Sequence, residues 1–194
     1  MWRLTNIYAE DFCSFRKLGL AVQQDTATLV FGNNMDDASQ NSNGSGKSAI
    51  VDIIAFGITG SPFRELKTAD EIIRQDVESA SVTLSFTNTS GATLEIDRLL
   101  SRKNPQQVKV TYNSEVIPTA SVLEANTLVL EIIGLTKDDI YSNFILSRSK
   151  YRSFLSSSDK DKKSLINRFS NGILVDQSIE AVQADMVPLT EQAL

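Results

Sequence analysis

The 194-residue sequence contains no histidine and a single cysteine, Cys13. Without histidine there can be no Ser-His-Asp triad, no histidine acid–base catalysis and no ordinary transition-metal site. One cysteine allows no intrachain disulfide and no cysteine-based zinc site, which suits a reducing compartment. No apolar run approaches the roughly 20 residues of a membrane span, and the first residues do not resemble a signal peptide. These absences predict a soluble cytoplasmic protein with no membrane partner.

The chain also lacks an excess of positive charge. Its net charge of −5 argues against a uniformly basic nucleic-acid-binding protein but leaves room for a local basic face. A hydrophobic content of 41% and a charged content of 22% are ordinary for a globular protein. The length predicts one domain, or one domain with an extension.

The most informative stretch is residues 41–48, which read N-S-N-G-S-G-K-S. They match the Walker A P-loop pattern G-x-x-x-x-G-K-[ST] at every fixed position except the first. A strand-like run, 28–32, precedes the stretch and an almost wholly apolar helix candidate, 49–56, follows it. The alternative, a chance Gly/Ser-rich turn, is disfavoured because strand, glycine loop and helix is the context that the motif requires.

The chemistry of a P-loop explains these residue types. Gly44 and Gly46 allow backbone N–H groups to approach phosphate oxygens, and the following helix N-terminus adds partial positive charge. Lys47, the candidate catalytic residue, is expected to reach the β- and γ-phosphates, and the Ser48 hydroxyl to hold Mg²⁺. The predicted residues for ATP and Mg²⁺ are Asn43, Gly44, Ser45, Gly46, Lys47, Ser48 and Ala49.

The first glycine of the pattern is open to two interpretations. Asn41 occupies its position, and asparagine tolerates the left-handed backbone region better than most residues. Alternatively, Gly32 is the first glycine and the loop after it carries an insertion. The polar loop 33–42 is then either functional or a mobile surface insertion.

Hydrophobic periodicity predicts a mixed α/β chain. After the P-loop helix the pattern alternates with period two, which predicts an antiparallel meander with one solvent-exposed face. The predicted elements are strands at 2–8, 20–22 and 28–31 (the last one buried), a turn at 11–16, a helix at 47–58, a short helix or turn at 70–76, the meander at 82–117, a helix at 121–133, and a short helix at 138–146 that ends in a strand-like segment, 144–146.

Two features near the C-terminus each have two interpretations. The stretch 148–168 is the most basic in the chain and is either a solvated helical face or a nucleic-acid contact. Residues Val175, Ile179, Val182, Met186, Leu189 and Ala193 are spaced 4, 3, 4, 3, 4. This heptad pattern predicts a coiled coil or, alternatively, an amphipathic helix packed on its own domain.

Several motifs that usually accompany a P-loop are missing. Residues 136–139, T-K-D-D, fit a guanine-reading motif, but no D-x-x-G occurs, and residue 136 follows a helix cap. A small kinase would not contain the meander. There is no L-S-G-G signature, and the nearest match to Walker B, 128–131, continues into apolar residues as a helix would. The chain therefore has the pattern of half an ATP site.

The order of elements resembles the N-terminal lobe of an SMC-like ABC-type ATPase head, of the SbcC and phage recombination-endonuclease large-subunit type. The matching segments are L-x-x-I at 4–7, F-C-S-F at 12–15, L-V-F-G at 29–32, N-G-S-G-K-S-A-I-V-D-I-I at 43–54, F-G-I-T-G at 56–60, A-D-E-I-I-R at 69–74, L-E-I-D-R at 94–98, I-I-G-L at 132–135, F-I-L at 144–146 and Y-x-x-F-L at 151–155.

The resemblance implies an α/β P-loop NTPase lobe over residues 1–172 and the start of a coiled-coil arm over 173–194. In such proteins a C-terminal lobe supplies Walker B, the signature motif and a switch histidine, so this chain is expected to be part of a longer protein. ATP binding would join two copies of the head. A nuclease subunit and double-stranded DNA are the implied partners, in the cytoplasm of a bacterial or phage-infected cell.

This chain departs from the family at two positions. The family usually has a glutamine where residues 146–149 read L-S-R-S, so Ser147 or Arg148 is the candidate for sensing Mg²⁺ and water. The family often has a basic residue at the position of Cys13, and Arg16 is the candidate substitute. Two other functions remain open: the ATPase subunit of a DNA-bridging or anti-phage defence complex of the Lamassu type, and a lobe that binds ATP without hydrolysing it.

Overall fold

The structure is a computed structural model of the chain. It describes residues 1–32, 46–64, 71–145 and 158–169. The chain forms two compact units, residues 1–147 and residues 148–194. The first unit contains a sheet and the helices that cover it. In the second unit, the described residues form one helix, α4 (Asp159–Phe169).

One antiparallel sheet organises the first unit. Its strands are β1 (Trp2–Phe12), β2 (Phe15–Ala21), β3 (Ser79–Asn88), β4 (Thr93–Ser101), β5 (Gln107–Tyr112) and β6 (Glu115–Ile117). They lie in the order β2-β1-β3-β4-β5-β6, and every neighbouring pair is antiparallel. The N-terminal hairpin β1–β2 therefore extends the meander that runs from β3 to β6.

The predicted meander is confirmed, including its single solvent-exposed face. Along β3, Val82 and Leu84 are fully buried, whereas the residues between them are only partly covered. This alternation follows from the period-two geometry of a strand, which sends successive side chains to opposite faces. The predicted turn after β3 is built by Asn88, whose side-chain oxygen accepts hydrogen bonds from the N–H groups of Ser90 at 3.0 Å and Ala92 at 2.9 Å.

Among the described residues of the first unit there are four helical segments. They are α1 (Lys47–Thr59), α2 (Val122–Ile133), the one-turn α3 (Lys137–Asp139) and a π-helical turn (Ile140–Phe144) that continues directly from α3. The predicted helices at 47–58 and 121–133 are confirmed. Gly60 and Gly134 end α1 and α2 in the left-handed conformation that glycine adopts without a steric penalty.

Helix α1 packs closely on the sheet, as its apolar sequence predicts. Ile53 and Phe56 are buried, and a Cβ atom on Gly57 would overlap the side chain of Leu84 on β3. The absence of a side chain at Gly57 therefore lets the backbone of α1 approach the sheet directly. This contact fixes the helix that opens at the P-loop.

The prediction of a buried strand at 28–31 is wrong. These residues are not in a strand, and the side chains of Leu29 and Phe31 are 75% and 82% exposed. An apolar, β-prone run becomes a buried strand only if another strand pairs with it and another layer covers it. Among the described residues, no strand pairs with this segment and no layer covers it.

Three local predictions also need correction. The turn at 11–16 is only two residues long, because β1 runs to Phe12 and β2 begins at Phe15, and these two residues pair. Strands 2–8 and 20–22 are accordingly longer than predicted. Within 71–76 the chain makes turns, one of the two structures predicted for 70–76, and Ile73 forms a bridge with Phe12. Phe144 belongs to the π-helical turn rather than to a strand-like segment.

Other predictions fall outside the described residues. They concern the loop 33–42, the heptad pattern at 175–193 and therefore the boundary at 172/173. Among the described helices, none has the length and apolar character needed to span a membrane.

Candidate nucleotide-binding site

The P-loop helix α1 begins at Lys47, directly after Gly46. Gly46 has φ 82°, in the left-handed region, and a Cβ atom built on it would lie 2.6 Å from Ser14 Oγ in the β1–β2 turn. The positive φ favours glycine at this position, and an added Cβ would also force the Ser14 hydroxyl to move. Of the predicted strand–loop–helix context, the helix is confirmed and the strand at 28–31 is not, while the loop between them lies outside the described residues.

The start of α1 has the features of an anion-binding helix terminus. No side chain caps it, and its first turn contains no acidic residue that would compensate the positive end of the helix dipole. Ser48 is exposed, Lys47 is half-buried, and Ala49 is buried, with its N–H donating to the Gly46 carbonyl at 2.9 Å. The Ser48 hydroxyl is thus accessible to a ligand, while Ala49 anchors the turn.

These four residues fit a nucleotide with Mg²⁺. Lys47 offers a flexible cation and Ser48 a hydroxyl oxygen, the ligand type that Mg²⁺ prefers alongside phosphate oxygens. No cluster of three or more His, Cys, Asp or Glu residues able to hold a metal occurs in the described parts of the chain. The exposed Ser48 hydroxyl could hold a Mg²⁺ ion that accompanies the nucleotide.

Most of the remaining predicted site residues lie outside the part of the chain that the structure describes. Asn41, Asn43, Gly44 and Ser45 lie outside the described residues, as do Ser147 and Arg148. The choice between Asn41 and Gly32 as the first position of the motif therefore stays open. Arg16 is described: it is exposed on β2, directly after Phe15, whose ring lies near Gly46.

A buried carboxylate on α1 pairs with an arginine beyond the end of the helix, close to this site, and the sequence analysis missed this ion pair. Asp52, fully buried, accepts hydrogen bonds from the backbone N–H of Arg64 at 3.0 Å and from Arg64 Nε. Arg64 Nη2 lies 3.8 Å from Cys13 Sγ. Burial raises the pKa of the Cys13 thiol, and Arg64 acts in the opposite direction. A carboxylate inside an almost wholly apolar helix was the available signal, because a buried charge requires a partner.

The far end of α1 is held by a second buried charge, Arg98 of β4. Its guanidinium donates to the carbonyl oxygens of Gly57 at 2.7 Å and Ile58 at 3.1 Å, and to Asn126 of α2 at 2.7 Å. Burial lowers the pKa of Arg98 to about 10. The cation meets the negative end of the helix dipole, which offsets part of its desolvation cost.

A tyrosine joins the end of α1 to the π-helical turn. Tyr141 Oη lies 2.9 Å from Thr59 Oγ1 and donates to the Ser61 carbonyl at 2.9 Å. Burial raises the pKa of Tyr141. This contact connects the P-loop helix to the chain immediately before 146–149, where the resemblance expects a water-sensing residue.

The guanine-reading alternative finds no support in the geometry. Thr136 is the N-cap of α3: its hydroxyl accepts the N–H of Asp139 at 3.2 Å, and its own N–H donates to the Asp139 carboxylate at 2.9 Å. The two polar residues therefore satisfy each other as a capping box. Glu131 lies on α2, as predicted, and not at the end of a strand.

Comparison with known proteins gives one family match that spans nearly the whole chain. The AAA domain family matches residues 7–186. The SbcC polypeptide of the SbcCD nuclease of Bacillus subtilis is 25% identical over 137 residues, which cover 66% of this chain and 12% of that protein. The DNA double-strand break repair Rad50 ATPase of Sulfolobus acidocaldarius is 26% identical over 125 residues, covering 64% of this chain and 14% of that protein.

Among solved structures, the recombination mediator protein RecF with ATP, of the RecFOR pathway, aligns with a TM-score of 0.49 and 18% identity. The alignment covers 63% of this chain and 29% of that one.

The chain spans only a small part of the length of the two curated relatives, SbcC and Rad50: 12% and 14%.

Proposed function

We propose a function from the premise that the chain belongs to the AAA domain family, which matches residues 7–186. The chain is the N-terminal, ATP-binding lobe of an SMC-like ABC-type ATPase head that acts on DNA. The observation that carries this proposal is the start of α1. There Gly46, Lys47 and Ser48 follow one another at an uncapped helix N-terminus with no acidic residue in its first turn.

Each residue of this turn has a defined task in the proposed site. Gly46 brings the backbone close to the phosphates, and Lys47 neutralises charge on the β- and γ-phosphates. The Ser48 hydroxyl would hold Mg²⁺, which would supply positive charge to offset the negative charge of the phosphates. Asn43, Gly44 and Ser45 complete the phosphate cradle.

The site is completed by other polypeptide segments. The sequence has no Walker B and no signature motif, so the residues that activate water come from a C-terminal lobe and from a second copy of the head. The exposed side chains of Leu29 and Phe31 support this proposal, because an exposed apolar segment suits a further protein layer. Ser147 or Arg148 stands where the family has its water-sensing glutamine.

ATP binding joins two heads and hydrolysis releases them, so the nucleotide biases an equilibrium between two states. The names of the relatives, part of a nuclease and a double-strand break repair ATPase, favour work on double-stranded DNA with a nuclease partner. Exposed Lys160 and Lys163 on α4 offer positive charge for a phosphate backbone. This activity would take place in the cytoplasm.

The alternative, an ATPase subunit of a DNA-bridging or anti-phage defence complex, uses the same residues. The proteins that co-purify with this one discriminate between the two. A nuclease among them supports DNA processing, whereas a complex without a nuclease supports bridging.

ATP-driven head joining tests the proposal directly. We expect the purified full-length protein, with the lobe that completes its site, to shift from monomer to dimer in light scattering when a non-hydrolysable ATP analogue and Mg²⁺ are added. Lys47→Ala is expected to remove the shift. Lys103→Ala is expected to leave it unchanged, because Lys103 lies after β4, is exposed and pairs with Glu78. A dimer that forms equally well with Lys47→Ala would contradict the proposal.

A further inference from the structure

Tyr141 contacts the end of the P-loop helix although it lies 82 residues beyond Thr59 in the sequence. Its hydroxyl oxygen lies 2.9 Å from Thr59 Oγ1 and donates to the Ser61 carbonyl at 2.9 Å. Thr59 is 4% exposed, and its Oγ1 lies 2.8 Å from the carbonyl oxygen of Ala55. The tyrosine hydroxyl is therefore attached both to the last turn of α1 and to the loop that leaves the helix.

Two further side chains hold the same pair of segments together. Phe63 meets the ring of Tyr141 edge-on, with the ring centroids 5.6 Å apart. Lys137 of α3 donates to Ser61 Oγ at 3.1 Å, and its Nζ lies 5.6 Å from the centroid of the Tyr141 ring. The loop after α1 is thus joined to α3 and the π-helical turn by a hydroxyl, a ring and an ammonium group.

The turn that carries Tyr141 has an uncommon geometry. It is the π-helical turn Ile140–Phe144, in which the N–H of Ile145 donates to the Ile140 carbonyl at 3.0 Å. Turns of this kind are rare and occur frequently at functional sites. Tyr141 is the second residue of the turn, so its hydroxyl supports the turn from the end of α1.

The Tyr141 hydroxyl stands at the opposite end of α1 from the proposed phosphate site. The 13 residues of α1 rise about 1.5 Å each, which places Thr59 roughly 18 Å from Lys47. A nucleotide held at Lys47 is therefore out of reach of the tyrosine. The helix is also fixed to the sheet without it, through the close packing of Gly57 and the hydrogen bonds of Arg98. Loss of the hydroxyl is thus expected to leave the phosphate-binding turn in place.

We propose that Tyr141 is a positioning residue for ATP turnover, whose hydroxyl holds the π-helical turn in a fixed place relative to the P-loop helix. This inference rests on the proposed function, in which other segments supply the groups that activate water. The chain leaves the first unit just after this turn, because that unit ends at Ser147. The contact therefore fixes the point from which the rest of the chain starts, and its loss slows turnover without weakening ATP binding.

The test measures turnover and affinity separately on the purified full-length protein, with the lobe that completes its site. Turnover is the single-turnover rate of ATP hydrolysis at saturating Mg²⁺ and protein, and affinity comes from titration with a non-hydrolysable ATP analogue. Tyr141→Phe is expected to lower the rate about three- to tenfold, the size of one neutral hydrogen bond, and to change the affinity less than about twofold.

The matched control is Thr83→Val. Thr83 Oγ1 donates to Asp97 at 2.7 Å, and Thr83 lies on the face of the sheet opposite Leu84, which packs against α1. This variant also loses one hydroxyl hydrogen bond of the first unit, but away from the helix. We expect it to keep the turnover rate of the unaltered protein. An equal loss of turnover in both variants would mean that the effect follows from general destabilisation, and would overturn the inference.

A second variant tests whether the tyrosine acts through the end of α1. Thr59→Val keeps the shape of the side chain and removes Oγ1, and we expect it to slow turnover as well. The double variant Tyr141→Phe, Thr59→Val should lose less than the product of the two single effects, because both substitutions break the same contact. Losses that multiply would mean that the two hydroxyls act separately, which contradicts the proposed positioning.

The outcomes distinguish this inference from the function on which it rests. If Lys47→Ala abolishes turnover and Tyr141→Phe leaves it unchanged, the role of Tyr141 is wrong and the proposed function stands. If Tyr141→Phe weakens ATP binding as much as it slows turnover, the tyrosine supports the phosphate-binding turn itself and the inference is again wrong. If the unaltered protein neither binds nor hydrolyses ATP, the proposed function fails and the inference fails with it.

Discussion

The guanidinium of Arg98 donates from Nε to the carbonyl oxygen of Gly57 at 2.7 Å, which attaches the sheet to the C-terminal end of the P-loop helix. Arg98 is 1% exposed, and its described contacts are two helix carbonyls, an asparagine oxygen and the ring of Phe56. A cation in this position is stabilised by the helix dipole and by hydrogen bonds rather than by a carboxylate. It fixes the helix whose other end carries Gly46 and Lys47.

Replacing this cation is expected to cost stability. Arg98→Met leaves the carbonyls of Gly57 and Ile58 without their donor, and we expect a loss of about 2–4 kcal/mol in the free energy of unfolding. Arg3→Met, at an exposed site, is expected to change it by less than about 0.5 kcal/mol. Urea denaturation of both variants measures the difference, and equal effects would contradict the role of Arg98.

Arg98 also makes the free energy of unfolding depend on pH. Because the folded state lowers the pKa of Arg98 from its ordinary value to about 10, the unfolded chain binds more protons than the folded protein as pH rises above about 10. The contribution of Arg98 to stability therefore rises as pH increases above about 10. The gap in unfolding free energy between the unaltered protein and Arg98→Met should widen there. A gap that narrows would contradict the burial of a charged guanidinium.

The role of the Tyr141 hydroxyl can be tested with a smaller substitution that keeps the ring. Tyr141→Phe removes the contacts with Thr59 Oγ1 and the Ser61 carbonyl but keeps the ring in contact with Phe63. We expect a loss of about 1–2 kcal/mol in unfolding free energy. Tyr112→Phe is the control, since the described contact of Tyr112 is the edge of its ring against Trp2. If Tyr141→Phe lowers the unfolding free energy no more than Tyr112→Phe does, the proposed link between Tyr141 and the end of α1 is wrong.

Two glycines with the same backbone conformation test the space at the P-loop. Gly46 has φ 82° and Gly91 has φ 85°, so alanine at either position carries a similar strain of roughly 1–2 kcal/mol. Only at Gly46 does the added Cβ meet another atom, Ser14 Oγ. We expect Gly46→Ala to weaken ATP binding and Gly91→Ala to lower thermal stability without changing ATP affinity. Equal ATP affinities for the two variants would argue against a nucleotide at this turn.

The thiol of Cys13 reports on its neighbour. Since burial raises its pKa above 9.0, we expect slower reaction with iodoacetamide near pH 8 than for the unfolded chain. Arg64→Gln removes the charge that opposes this shift, so the pH profile of the reaction should move further upward. By linkage, the stability that depends on the protonated thiol is present below pH 9.0 and is lost as pH rises above it. An unchanged profile in Arg64→Gln would mean that the two side chains do not interact.

Elements with strong local signals could be predicted from the sequence. The meander follows from period-two alternation with turn residues between the strands, and α2 follows from its cap residues, Ser121 and Gly134. The start of α1 follows from the Gly-Lys-Ser triplet. In each case the residues that define the element are adjacent in the chain, so no tertiary information is needed.

Features that depend on distant residues could not be predicted. The run 28–31 has the composition of a buried strand, but whether it becomes one depends on a partner that the sequence does not indicate. The contact of Arg64 with Asp52 and Cys13 joins three separate segments. Asp52 could have been noticed as a charge in an apolar helix, but its partner could not have been identified without the fold.

The central claim is that the start of α1 binds the phosphates of ATP. Calorimetric titration of the purified protein with ATP and Mg²⁺, repeated with Lys47→Ala and with Lys103→Ala, tests it most directly. We expect clear binding by the unaltered protein and by Lys103→Ala, and a loss of at least about tenfold in affinity for Lys47→Ala, because one lost charge-assisted contact is worth that much. Equal affinity in all three proteins, or no binding by any of them, would contradict the claim.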